Sequence, residues 1–394
     1  MTRRQATPPA ATVGWDRVLA LRLERQHIAT RTTPDRLVDV VSGLVGLHAQ
    51  VMSSAELQLA ARIDGLRASD VREALWEARR LVKVWAFRQT LHVLTPDDLV
   101  AFVAAARSLE RWHTPAWLRY FHLTEADVAA MIDAVGAALS ERPMARADLV
   151  AAVTARLGRP ELAEAMLTGW GTFLAPAAQH GRLVFGPSEG RNVAFVNPAR
   201  WLGRPVEPSS DQAAADEALS RLIVRYLAAF PGATREMVAR WWGGGRMSAI
   251  NRALGHVETE LAEVEVEGAR ALVRRADAAL LACTTATGSV RLLPGFDPFT
   301  NELPRRVETV LARSRHELIH RTAGWVTPIV VVDGAIGGTW EIAGGAKTSK
   351  VDVVLWARLA GGARKELATE VDRIAAFLDR PLSISVGVAS GAAP

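Results

Sequence analysis

The chain has 394 residues, enough for two to four domains, and 49% apolar against 23% charged residues supports well-buried cores. Forty-seven Lys and Arg against 42 Asp and Glu leave a net charge of +5, with Arg far outnumbering Lys. That balance suits a polyanionic partner and equally suits a GC-rich coding sequence. The one cysteine, Cys283, excludes disulfides within the chain and cysteine-built zinc or iron–sulfur centres, as a reducing cytoplasm would favour. Residues 1–10 carry no apolar core of a signal peptide, and no run of about 18 apolar residues occurs, so neither secretion nor a membrane span is expected.

Residues 1–13 read as a disordered tail. Residues 14–25 then show helical apolar spacing. A second helix is expected from Thr33-Pro34, a cap followed by a proline at the first helical position, through to Gln50. Ala55–Ile63 and a Ser69-capped segment to Arg80 are helical, and 81–94 alternates as a strand or hairpin. The order then repeats. Helices at Thr95-Pro96, 124–138, 147–157 and 161–179 precede a hairpin over 181–196. After a linker at 205–210, helices over 211–229, 235–242 and 248–261 precede a hairpin around Gly268. From about Arg275 strands dominate, broken by one helix over 365–378.

Helices followed by a hairpin outline a winged helix, a unit that sets one helix into a DNA groove and one hairpin against the backbone. The expected fold is therefore α+β: three tandem winged-helix units over 14–94, 95–205 and 206–274, then a β-barrel-like domain over 275–394. The same outline also occurs in plain scaffolds. Within the first unit, Gly46-Leu47-His48-Ala49-Gln50 stands out. In a helix His48 and Gln50 would not share a face. A chain loosened at Gly46 could aim both at one ligand, one as a proton acceptor and the other as a neutral carboxamide. Alternatively both simply finish a helix at the surface.

Four motifs in one order give these residues company: Leu47-His48-Ala49-Gln50, Arg88-Gln89-Thr90-Leu91-His92, the run Leu292 to Phe299, and the run Val332 to Trp340. Together they resemble the AlkZ-like DNA glycosylases, a family within a broader group of winged-helix proteins. The resemblance implies three winged helices and a β-barrel arranged around a duplex, and monofunctional excision of alkylated bases. Well-studied members carry Gln-x-Gln or Gln-x-Asp where this chain has His48-Ala49-Gln50. The His-x-Gln form is similar to variants associated with self-resistance in actinomycetes that make DNA-alkylating natural products.

The residues suggest a matching chemistry. Cleavage of an N-glycosidic bond passes through an oxocarbenium-like sugar, and glycosidases usually bring two carboxylates to it. The motif holds none. An N7-alkylguanine already carries a positive charge and leaves neutral, so it needs no strong acid. Gln50 can hold a water and a neutral His48 can take its proton. No Lys stands in the motif as a Schiff-base nucleophile, so no lyase step is expected. Arg88 and His92 read as phosphate contacts or as surface wing residues. Lys347 and Lys350 belong to a hairpin tip that either probes a minor groove or is a solvated turn. Asp297 and Trp340 read as support for the site, with a turn cap the plainer role for Asp297. No cofactor or metal is expected. The expected partner is double-stranded DNA containing an alkylated purine, bound by a monomer in the cytoplasm at the nucleoid. Rival readings are a non-enzymatic winged-helix regulator and a protein that sequesters damaged DNA.

Overall fold

A computed structural model describes residues 11–109, 114–168, 171, 173–190, 192–243, 247–286, 288–305, 307–345 and 349–389. The fold mixes helices and sheets, and the chain divides into two compact units. One comprises 1–70, 224–237 and 257–394; the other comprises 71–223 and 238–256.

The first unit is organised by a five-stranded sheet. Its order is Val290–Leu293, Ile329–Val332, Ala335–Ala343, Lys350–Leu355 and Ser383–Val388. The first four strands pair antiparallel, and the last joins parallel after the Gly361–Leu378 helix crosses over. The sheet is open, with two edges, and forms no closed barrel. Alternation explains which face is covered: Val330, Trp340, Val351 and Val353 point to one side, against Leu367, Val371 and Ile374 of that helix. Leu57 packs on the same cluster, so the N-terminal helix Met52–Ala60 docks on the C-terminal sheet. Arg31 reinforces this joint, its Nη2 donating to both carboxylate oxygens of Glu370 at 2.5 and 2.6 Å.

Thr12–Val13, expected in a tail, form a strand parallel to Leu261–Val266, which pairs in turn with Ala269–Arg274. The correction has a simple cause: the edge of that hairpin offers unpaired backbone groups, and the Glu265 N–H donates to the Ala11 carbonyl at 2.8 Å. A fully buried Arg22 anchors the Trp15–Arg25 helix, donating to the carbonyls of Pro231 and Glu302 at 3.0 and 2.9 Å.

The second unit contains two sheets' worth of hairpin strands. Val82–Trp85 pairs antiparallel with Leu91–Leu94. Met144–Ala145, Asn192–Val196 and Val184–Glu189 form a three-stranded sheet in that order. The Glu125–Glu141 helix starts with a capping box in which Thr124 and Asp127 satisfy each other's backbone N–H groups. The helix expected over 161–179 is instead two short ones, Leu162–Thr168 and Ala175–Gln179. Pro176 sits at the start of the second, where its missing N–H costs nothing. Trp242 is fully buried and donates to Ser108 Oγ at 3.0 Å, among Phe87 and Phe102. No described helix is long and apolar enough to cross a membrane.

Candidate active site

The helix leading to the His48 motif stops earlier than its pattern suggests. It spans Leu37–Gly43, preceded by a 3₁₀ turn at Pro34–Arg36. The N–H of Gly46 donates to the Val41 carbonyl and that of Val45 to Ser42, both at 3.0 Å, the closing pattern of a Schellman cap. The left-handed residue in that cap is Val45, with φ 53°, followed by Gly46 at φ 99°. A β-branched residue is costly there, by about 1–3 kcal/mol, and burial of its side chain holds it in place. The turn reverses the chain into a two-residue strand, Leu47–His48. Leu47 and Ala49 are fully buried, His48 is 8% exposed and Gln50 is exposed. The short extended stretch thus does what a helix could not. It pins the motif by its apolar members and leaves Gln50 facing out.

His48 is held by a near neighbour in sequence, Gln58, and by Phe296, more than 240 positions away. Its ring lies flat on Phe296, with centroids 4.8 Å apart and planes 9° from parallel. Gln58, fully buried on the following helix, donates its amide to the His48 carbonyl at 3.1 Å and to the Phe296 carbonyl at 3.4 Å. Asn301 Nδ2 donates to that second carbonyl at 2.8 Å. Phe296 has φ 59°, and the preceding Gly295 has no room for a Cβ, which would lie 2.8 Å from the Val326 carbonyl oxygen. The Ser54 hydroxyl also donates to the Gly295 carbonyl. The Leu292–Phe299 motif therefore builds a rigid turn whose product is one aromatic platform under His48.

Asp297 stands beside this platform. It caps the Pro298–Asn301 helix through the Phe299 N–H, and it forms a bidentate pair with Arg62 at 2.7 and 2.8 Å, both side chains fully buried. Arg62 also donates to the Gln58 carbonyl at 2.9 Å. Burial first, then the nearby Arg62 and Arg36 charges, pushes the His27 imidazole below its usual range. Trp340 lies in the sheet core, its Nε1–H donating to the Leu293 carbonyl at 2.9 Å, and so fixes the strand that leads into the turn.

The expected DNA-contacting residues fall in different places. Lys350 is exposed at the start of its strand, opposite Ala343 in the expected hairpin, with Asp352 Oδ1 2.9 Å away. Lys347 lies outside the described residues. Arg88, expected on a strand, sits half-buried in the tight turn between two strands, where it and Gln89 are left-handed at φ 54° and 60°. His92, expected at a phosphate, is only 3% exposed; its Nδ1 is 2.9 Å from the Thr90 carbonyl and its ring meets Phe87 edge-on. Strand alternation turns His92 inward, where it braces the Arg88 turn. His48, Gln50, Asp297, Trp340 and Lys350 share the first unit; Arg88 and His92 belong to the second. Among the described residues no group of three His, Cys, Asp or Glu side chains is placed to hold a metal ion.

Gln58, Arg62 and the stacking role of Phe296 escape a reading of the sequence. Phe296 lies within a recognised motif, but the motif does not say which distant residue its ring meets. Gln58 and Arg62 look like ordinary polar positions on a helix.

Two motif-borne polar residues thus share one short extended stretch, His48 clamped by Phe296 and Gln58 and Gln50 exposed. The chain matches the family described as DNA glycosylase AlkZ-like over residues 41–377 and belongs to that family of enzymes. It is 34% identical over 330 residues to a protein of Streptomyces sahachiroi named interstrand DNA cross-link repair glycosylase, covering 83% of this chain and 88% of that one. The solved structure of Streptomyces sahachiroi DNA glycosylase AlkZ superposes with a TM-score of 0.85 at 31% identity, covering 95% of this chain and all of the other.

Proposed function

We propose that this DNA glycosylase releases N7-alkylguanine-type bases from double-stranded DNA by hydrolysis of the N-glycosidic bond, including bulky or crosslinked adducts. The observation that carries the reading is the His48–Gln50 arrangement. His48 is immobilised by Phe296 and Gln58, and Gln50 is exposed two residues further on. Gln50 orients the attacking water, and neutral His48 accepts its proton as the sugar cation develops. The base leaves neutral, so no general acid is required. The name of the Streptomyces relative supports extending the substrate to interstrand crosslinks, and the His-x-Gln form supports a role in self-resistance to a DNA-alkylating natural product.

The DNA is held by winged-helix units over 14–94, 95–205 and 206–274. Two observations support this. The short Met144–Ala145 strand pairs with the second strand of its hairpin, and Ala233 bridges Leu272 in the same topological position. Leu47–His48 occupies a comparable place in chain order, between the Leu37–Gly43 and Met52–Ala60 helices. Arg88, Lys347 and Lys350 contact phosphates, and His92 positions the Arg88 turn. The enzyme works as a monomer at the nucleoid.

The test is base release from a duplex carrying one N7-alkylguanine. Wild type should release the base, leaving an abasic strand that breaks only on alkali treatment. Gln50→Ala should lose about 100-fold or more in kcat, and His48→Ala about 100-fold, the lower end of the range for a positioned general base. Excision by wild type should fall on acidification, as His48 gains a proton and can no longer accept one from water. A rate unchanged by acidification would remove His48 as the base. Specific binding to undamaged DNA with no base release would favour the regulator instead.

A further inference from the structure

Phe296 touches a second ring besides His48. Trp325 meets it edge-on, with centroids 5.0 Å apart and planes at 75°. Trp325 is nevertheless 46% exposed, while Phe296 beneath it is 7% exposed. A half-exposed indole offers a broad apolar face with one polar edge, a surface suited to a planar ligand.

The backbone presents it deliberately. Trp325 follows a tight turn, Thr322–Gly324, in which Ala323 and Gly324 are both left-handed at φ 57° and 75°. The turn is closed by the Arg321 N–H donating to the Trp325 carbonyl at 2.8 Å and by an antiparallel bridge between His320 and Val326. Val326 is buried, and its carbonyl packs on Gly295 of the platform turn. The indole is therefore fixed to the same rigid turn that carries His48. Arg313 and Arg321, both exposed, lie on the segment leading to it and suit a phosphate-lined approach.

We propose that Trp325 is the stacking platform for the alkylated purine, a binding residue separated from His48 by one aromatic ring. The proposal rests on the glycosylase reading above for the identity of the base. An N7-alkylated guanine is planar and cationic, and an indole face is the best aromatic partner for such a group. Because the base loses its charge as the bond breaks, this attraction is strongest before reaction. Trp325 thus contributes to affinity for the lesion and not to the rate of the bond-breaking step.

The experiment uses the full chain and two duplexes, one undamaged and one carrying N7-methylguanine on a 2′-fluoro sugar, which resists hydrolysis. Binding is measured for wild type, Trp325→Ala and Trp325→Phe. Wild type should prefer the lesion, Trp325→Ala should lose about tenfold of that preference with unchanged affinity for undamaged DNA, and Trp325→Phe should keep most of it. With the cleavable lesion, Trp325→Ala should raise KM by a similar factor without lowering kcat. No lesion preference in wild type, or an unchanged preference in Trp325→Ala, overturns the proposal. A lower kcat with unchanged KM also overturns it, since Trp325 would then only brace Phe296. Lesion preference lost in Trp325→Ala, with no base released by wild type, would uphold the platform and sink the glycosylase chemistry separately.

Discussion

At the scale of single residues, the strongest commitment is the Arg62–Asp297 pair. Two charges with no exposure are stable only while each has the other. Asp297→Ala leaves the Arg62 guanidinium buried and uncompensated. It should cost about 3–5 kcal/mol in urea unfolding. Replacing both, as Arg62→Met with Asp297→Leu, should recover part of that loss because no orphaned charge remains. A double variant no more stable than Asp297→Ala would show that the cap on the Pro298–Asn301 helix, and not the ion pair, carries the effect. Gln58 tests the site more directly. Gln58→Leu keeps the volume but removes the amide that joins the His48 and Phe296 carbonyls. It should cost about 1–3 kcal/mol of stability, and excision should slow by more than that loss of folded protein explains.

Individual elements show how local signals and close approach divide the work. The Glu125–Glu141 helix begins as its Thr-x-x-Asp signal predicts, and the Thr124 hydroxyl and backbone N–H hold the Asp127 carboxyl below the usual carboxylate range. A carboxyl depressed in the folded state stabilises fully above its unfolded value and loses that contribution as pH falls through the folded one. Thr124→Ala should therefore cost about 1 kcal/mol at neutral pH and less at an acid pH low enough to protonate Asp127. Equal losses at both pH values would assign the effect to the hydroxyl alone. Gly338, in the Ile336-Gly337-Gly338-Thr339-Trp340 run, has a different reason to be glycine. A Cβ there would lie 2.3 Å from the Val354 carbonyl oxygen and 3.0 Å from Leu355 Cα, both backbone atoms of the paired strand. Gly338→Ala should push those strands apart and cost about 1–3 kcal/mol, visible as a lower thermal midpoint.

For the whole molecule, a net charge of +5 predicts DNA binding that weakens with salt. Each phosphate contact removed should reduce the slope of log K against log salt by about 0.9. Arg88→Ala and Lys350→Ala should each do so on undamaged duplex, with no change in preference for the lesion. His92→Ala, a buried bracing residue, should lower stability, and it should alter the slope only through Arg88. An unchanged slope in Lys350→Ala would leave that lysine with Asp352 and away from DNA.

Much of this was legible in the sequence. Periodicity, Thr-Pro starts and glycine stops located most of the longer helices and the hairpins over 81–94, 181–196 and around Gly268, because those signals act over a few residues through backbone geometry and alternating burial. The motif order pointed to the glycosylase family before any fold was known. Local pattern could not place the end of the helix before His48, because a buried Val45 in a left-handed conformation is held there by packing that outweighs its own preference. Nor could it show that the Leu292–Phe299 turn becomes the floor under His48, or that Trp325 stands on that floor. Contacts across more than 240 residues carry no periodic signature. They exist because the Met52–Ala60 helix docks on the C-terminal sheet, and only folding brings Phe296 to His48.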